Sequence, residues 1–115
     1  MSRLQPNKIL IVGHGSIGSR HLKIARKMIP ESKIMVLRHS ESTECPREAD
    51  QISTCMDKAI EFNPDIAVIA NPAPFHLDTA VLLAYEKCDL LIEKPLSHNL
   101  EGLNEFIELA DRQGI

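Results

Sequence analysis

The chain alternates short aliphatic runs with longer stretches in which apolar positions recur at helical spacing. Lys8–Val12 (KILIV) is apolar almost throughout, the mark of a strand buried on both faces. From Ser16 to Ile29 the residues Ile17, Ile24, Ala25 and Met28 recur with helical spacing and Pro30 follows, which predicts a first helix. Lys33–Leu37 reads as a second strand. The stretch Arg38–Gln51 is polar, contains Pro46 and shows no sustained period, so it is read as loop. Thr54 opens a T-x-x-D capping pattern with Asp57, and Met56, Ala59 and Ile60 share a face before Asn63-Pro64, predicting a short helix. Asp65–Ala70 is the clearest strand of all; the turn-rich Asn71–Pro74 follows, and Leu77, Ala80, Val81 and Ala84 then trace a core-facing helix stripe. Asp89–Ile92 is another buried strand. Asn99 reads as the N-cap of a last helix carrying Leu100, Leu103, Phe106, Ile107 and Ala110, with Gly114 at its C-terminal cap. Strands that alternate with helices in this way predict an α/β fold: a doubly wound, Rossmann-like parallel sheet in a three-layer α/β/α sandwich.

Composition narrows the function classes. A length of 115 residues with 43% apolar content supports one hydrophobic core and one domain, residues 1–115. Thirteen Lys and Arg stand against 16 Asp and Glu, and a net charge of -3 spread over both signs argues against a nucleic-acid surface. No apolar run approaches the roughly 18 residues of a membrane span. Met1–Lys8 is polar without a signal-peptide core, so no membrane association and a cytoplasmic location are expected. Cys45, Cys55 and Cys88 form an odd set with no C-x-x-C pair, and the reading is of reduced, mostly buried thiols. His14, His21, His39, His76 and His98 show neither H-E-x-x-H nor a Cys-His cluster, so no metal site is expected.

The chemistry concentrates where strands end. Gly13-His-Gly15-Ser-Ile-Gly18 follows the first strand directly and opens the first helix, the context in which G-x-G-x-x-G becomes a dinucleotide fingerprint. Gly13 permits the tight turn, Gly15 lets a pyrophosphate approach the backbone, and Gly18 allows close packing of helix on sheet. Ser16 and Ile17 begin the helix whose N-terminus supplies donors and positive potential. The residue closing the second strand, about 20 positions past the fingerprint, faces the adenosine ribose in this fold, and here it is Arg38. An acid at that position binds the ribose hydroxyls of NAD and repels a 2'-phosphate. Arg38, with His39, Ser40 and Ser42 beside it, offers charge and donors instead, so NADP is favoured and NAD is the alternative. A lone solvated loop arginine is the plainer reading of the same residue. Asn71 and Pro72 leave the carboxyl end of a central strand, where Asn71 can bond the ribose or phosphate region. His76 either stands near the nicotinamide or serves a cap or packing role. Glu93-Lys94-Pro95 ends a buried strand on the same edge, where Lys94 can donate to a substrate oxygen or pass a proton.

Ile11–His21, Asn71–His76 and Glu93–Leu96 together resemble the Gfo/Idh/MocA family, the glucose-fructose oxidoreductase and inositol dehydrogenase group, in order along the whole chain. The resemblance implies a nicotinamide-dependent oxidoreductase acting on sugars or polyols, with Lys94 as the catalytic lysine and a tightly held cofactor. Two departures stand out. Ser40–Ser53 is shorter and less helical than the family's usual second helix, and the family's larger second α/β domain, which supplies substrate contacts, is absent from this sequence. The expectation is therefore a cofactor domain that lacks full activity alone. Its cofactor contacts are Gly13, Gly15, Ser16, Ile17, Gly18, Arg38, His39, Ser40, Asn71, Pro72, His76, Glu93 and Lys94. Without a further strand, Asp89–Ile92 would form an exposed sheet edge through which two copies could pair. The rival reading is a non-catalytic dinucleotide-sensing or protein-interaction module. A methyltransferase using S-adenosylmethionine fits less well, because Arg38 replaces the ribose-binding acid and the E-K-P triplet has no place in it.

Overall fold

The structure is a computed structural model that describes residues 6–40 and 44–115; Met1–Gln5 and Ser42 lie outside the described residues. Its strands are β1 (Lys8–Val12), β2 (Lys33–Leu37), β3 (Gln51–Ser53), β4 (Ile66–Ile69) and β5 (Asp89–Ile92). Between and after them lie helices α1 (Ser16–Met28), α2 (Met56–Phe62), α3 (His76–Tyr85) and α4 (Leu103–Gln113). All four ladders are parallel and the sheet order is β3-β2-β1-β4-β5. Two sheet neighbours leave β1 in opposite directions, so crossovers of one hand must put their helices on opposite faces. Accordingly, α1 covers one face, while α2, α3 and α4 cover the other.

Strand alternation sorts the core into these two layers. Ile9, Ile11, Ile34, Val36 and Val68 face α1, where they meet Leu22 and Ala25. Leu10, Val12, Met35, Leu37, Ala67 and Ile69 face the other way, against Ala59 and Phe62 of α2, Ala80 and Leu83 of α3, and Phe106 and Leu109 of α4. Because Leu10 is fully buried, truncation to alanine there would cost about 2–5 kcal/mol.

Several sequence expectations give way here. The end of the supposed loop Arg38–Gln51 runs into β3, which pairs through Gln51, Ile52 and Ser53 with Met35, Val36 and Leu37. Three residues with one half-buried isoleucine are too short and polar to show a period, and the pairing is imposed by the neighbouring strand. Thr54 does not cap α2: the cap position belongs to Cys55, which makes no side-chain cap bond, while the Cys55 amide donates to Ser53 Oγ at 3.0 Å. Asn99 does not start α4 either. Its Oδ1 accepts from the Glu101 amide at 2.9 Å, a local turn that competes with helix. The helix begins only after Gly102, whose φ of +81° redirects the chain and leaves Leu100 86% exposed. Ile107 also faces solvent, as do Ile17, Ile24 and Met28 of α1, the last at 71%, so helical spacing of apolar residues overstated the buried stripe. Gly114 does cap α4, in the left-handed conformation. Of the cysteines only Cys88 is buried; Cys45 and Cys55 are exposed. No helix among the described residues is long and apolar enough to cross a membrane.

Candidate functional site

All five strands end at one edge of the sheet, and the crevice opens where β1 and β4 lie side by side while the chain departs to opposite sides. This is where open parallel sheets bind ligands. A cleft of about 570 Å³ sits there, lined by the glycine loop after β1, the ends of β2 and β4, and Thr54 and Met56 after β3.

The three glycines of the loop are held by different constraints. Gly13 has a φ of +97°, and a Cβ on it would lie 2.8 Å from the Ala70 carbonyl oxygen, because its amide is bonded to Leu37 at 2.8 Å and the loop is pressed against the end of β4. A Cβ on Gly18 would stand 2.1 Å from the Gly13 carbonyl oxygen. A Cβ on Gly15 would meet nothing within 4 Å. The protein itself therefore requires Gly13 and Gly18, whereas the space beside Gly15 is open toward the cleft. Gly15 is also the N-cap of α1, with no side-chain cap bond and no acidic residue in the first turn, so the leading amides of α1 remain available to an anion.

The described part of the cleft wall has one sign of charge. Arg38 and His39 follow β2, His14 sits at the tip of the glycine loop, and no aspartate or glutamate is among the described lining residues. His14 is held below its ordinary pKa, first by burial and then by the Arg38 charge, with Lys23 acting in the same direction and Glu48 opposing. Deeper in, Asn71 donates from Nδ2 to Thr79 Oγ1 at 3.3 Å, while its Oδ1 is buried with no hydrogen-bond partner. An orphaned acceptor of this kind is costly unless a donor arrives. The open space at Gly15, the free amides of α1 and the lack of carboxylates among the described lining residues all fit a nicotinamide dinucleotide.

Of the contacts expected from sequence, Gly13, Gly15, Ser16, Ile17, Arg38, His39, Asn71 and Pro72 line the cleft. Gly18 lies under the loop rather than in the cleft, and Ser40 is not a lining residue. His76, Glu93 and Lys94 lie outside it as well, grouped at the carboxyl ends of β4 and β5. The Glu93 amide closes the β4–β5 ladder on Ile69 at 3.0 Å, and the Glu93 carboxylate accepts at 2.7 Å from Nε2 of His21 on α1. His76 is 2% exposed, with Nδ1 at 2.9 Å from the Pro95 carbonyl oxygen and Nε2 against the Asn71 carbonyl oxygen. Lys94 is exposed. Sequence reasoning missed His14, Thr54, Met56 and Thr79. His14 was signalled by its place between two loop glycines, whereas Thr54 and Met56 depend on the unrecognised β3.

The profile of the GFO_IDH_MocA family, described as an oxidoreductase family with an NAD-binding Rossmann fold, matches residues 7–115. The chain belongs to this family. Among solved structures, that of the WlbA dehydrogenase from Bordetella pertussis in complex with NADH and UDP-GlcNAcA is 19% identical with a TM-score of 0.76, covering 96% of this chain and 36% of that one. The myo-inositol 2-dehydrogenase from Lactobacillus plantarum is 19% identical with a TM-score of 0.78, covering 95% and 34%. The D-galactose-1-dehydrogenase from Rhizobium etli is 18% identical with a TM-score of 0.78, covering 99% and 37%. At these identities the likeness is one of fold, and the chain spans about a third of the length of each of these neighbours. A comparison with curated protein sequences returns no match.

Proposed function

We propose that residues 1–115 form the cofactor domain of an NADP-preferring oxidoreductase that moves a hydride between the nicotinamide and a carbinol carbon of a sugar or polyol. The observation that carries this reading is a cleft with no carboxylate among its described lining residues, an open glycine loop at one side and Arg38 at the other. When bound, the dinucleotide supplies the hydride acceptor or donor. The amides of Gly15, Ser16 and Ile17 would hold its pyrophosphate, Arg38 with His39 and His14 would meet a 2'-phosphate, and the buried Asn71 Oδ1 would accept from a ribose hydroxyl. Lys94, on the edge beyond Asn71, would hold or deliver the proton at Nζ that an alcohol loses as it becomes a carbonyl. The neighbours named as dehydrogenases of myo-inositol and of galactose, and the one solved in complex with UDP-GlcNAcA, support the substrate class.

Calorimetric titration with NADP and with NAD, on the native protein and on Arg38→Ala, tests the reading. A charge-assisted contact worth about 1.5–3 kcal/mol should make NADP tighter by roughly tenfold to a hundredfold in the native protein. The preference should shrink with added salt and vanish in Arg38→Ala. Equal affinities at low ionic strength would assign Arg38 to solvent, and binding of neither dinucleotide would remove the cofactor role altogether.

A further inference from the structure

Lys94 sits on a segment with few attachments of its own. After the Glu93 amide bonds Ile69, no backbone-to-backbone hydrogen bond among the described residues involves positions 94–99; the next begins at Leu100. Leu96 rests against the α3–α4 side of the core, but a single apolar contact does not fix the direction of the preceding side chain. Two histidines supply the polar attachments, one on each side of Lys94. His21 takes the Glu93 carboxylate at 2.7 Å, and His76 reaches the Pro95 carbonyl oxygen at 2.9 Å.

Both attachments lead back to the cleft. His21 lies one turn beyond Gly18 on α1, the helix whose N-terminus opens onto the cleft. The other ring nitrogen of His76 meets the carbonyl of Asn71, itself a cleft residue. We propose that His21 and His76 are positioning residues for Lys94, tying the segment Glu93–Pro95 to α1 through the Glu93 carboxylate and to the cleft wall through a ring that bridges Asn71 and Pro95. The proposal rests on the reading of Lys94 as the proton-handling group beside the cofactor. It adds that the placement of that group is set from the walls of the cofactor cleft rather than by β5 alone.

Amide side chains separate positioning from plain packing, because an asparagine nitrogen stands near where Nδ1 of a histidine stands and a glutamine nitrogen near Nε2. His76→Asn thus places a donor at the Pro95 carbonyl and His76→Gln places one at the Asn71 carbonyl; His21→Gln places a donor at the Glu93 carboxylate and His21→Asn does not. In nitrogen-15 relaxation of the full chain, the Lys94 amide should show a rigid-backbone order parameter of about 0.85 in the native protein, His76→Asn and His21→Gln. It should fall to about 0.6 or below in His76→Gln and His21→Asn, with the strand amides unchanged. Equal order at Lys94 in all five proteins, or a loss that follows melting temperature rather than the retained donor, overturns the proposal; His21→Asn, at a half-buried site, keeps the test open if the variants of His76 do not fold.

A second measurement joins this to the cofactor. Acylation of Lys94 by acetic anhydride, read by mass spectrometry against the exposed Lys27, should slow when NADP is added to the native protein, and that protection should be lost in His76→Gln and His21→Asn. Undiminished protection in those two variants overturns the positioning role. NADP binding that leaves Lys94 unprotected in the native protein overturns the role assigned to Lys94 and this proposal with it. Failure of the native protein to bind NADP defeats the cofactor reading and, with it, the purpose of the attachment, whereas the relaxation result still reports whether the attachment exists.

Discussion

At the scale of single residues the glycine loop separates what the fold needs from what a ligand needs. Gly18 cannot accept a Cβ because the Gly13 carbonyl already occupies that space, whereas Gly15 faces only open cleft. Gly18→Ala should therefore destabilise the protein by about 3 kcal/mol through overpacking against backbone. Gly15→Asn places a favoured cap residue at the start of α1 and should leave the melting temperature unchanged or slightly raised, while filling the space a pyrophosphate would use. Calorimetric melting and titration of both variants check the pair; normal dinucleotide affinity in Gly15→Asn would contradict the cofactor reading, and an undisturbed Gly18→Ala would contradict the loop geometry. The backbone demands on Gly13 and Gly18 were legible because the spacing of glycines after a strand constrains backbone approach, which is a local property. The place of His76 was not: a histidine just after Asn71-Pro-Ala-Pro-Phe could face ligand or core, and only the fold brings the Pro95 carbonyl to its ring.

At the scale of elements, one side chain joins three pieces of chain. Arg26, near the end of α1, donates to the carbonyls of Pro30, Ser32 and Glu48 and to the Asp50 carboxylate, each at 2.8–2.9 Å. The same Asp50 oxygen accepts from the Ile34 amide at 2.8 Å. The arrangement sets the start of β2 against the segment leading into β3. The Ile34 amide is the main cause that holds the Asp50 carboxyl below 3.8, with Arg26 adding to it and burial opposing. Because the native value is depressed, the carboxylate stabilises the fold at neutral pH, and this contribution fades as pH falls below about 4 through the native value. Asp50→Ala should cost about 1–3 kcal/mol at pH 7. In urea titrations the gap between native and variant should stay level from pH 7 to about 5 and close below about 4; a gap independent of pH would mean the carboxylate is not what joins the elements. Long apolar runs such as Asp65–Ala70 announced their strands, since burial on both faces leaves little choice of residue. β3 and the late start of α4 were hidden because their conformations come from a neighbouring strand and from an Asn99 turn, neither of which leaves a periodic trace.

At the scale of the molecule, the sheet order gives the two ends of the sheet different characters. β3 ends the sheet on one side with polar Gln51 and Ser53, short and therefore poorly suited to pair with a further strand. β5 ends it on the other with Leu90, Leu91 and Ile92, and Leu91 is 50% exposed. The amides of Asp89 and Glu93 point toward β4, bonding Asp65 at 3.1 Å and Ile69 at 3.0 Å. The alternation of a strand then turns the backbone groups of Leu90 and Ile92 outward, where no strand among the described residues meets them. No proline or charge interrupts these three positions, so the edge lacks the features that discourage pairing between chains. A protein of these 115 residues should accordingly self-associate through β5 as its concentration rises, and Leu91→Lys should shift that association to higher concentration by placing a charge on the exposed face of the strand. Light scattering over a dilution series measures both. If the native chain stays monomeric up to about millimolar concentration while the Leu90 and Ile92 amides resist hydrogen exchange, another part of the protein already covers the edge, because amides on an open edge exchange freely.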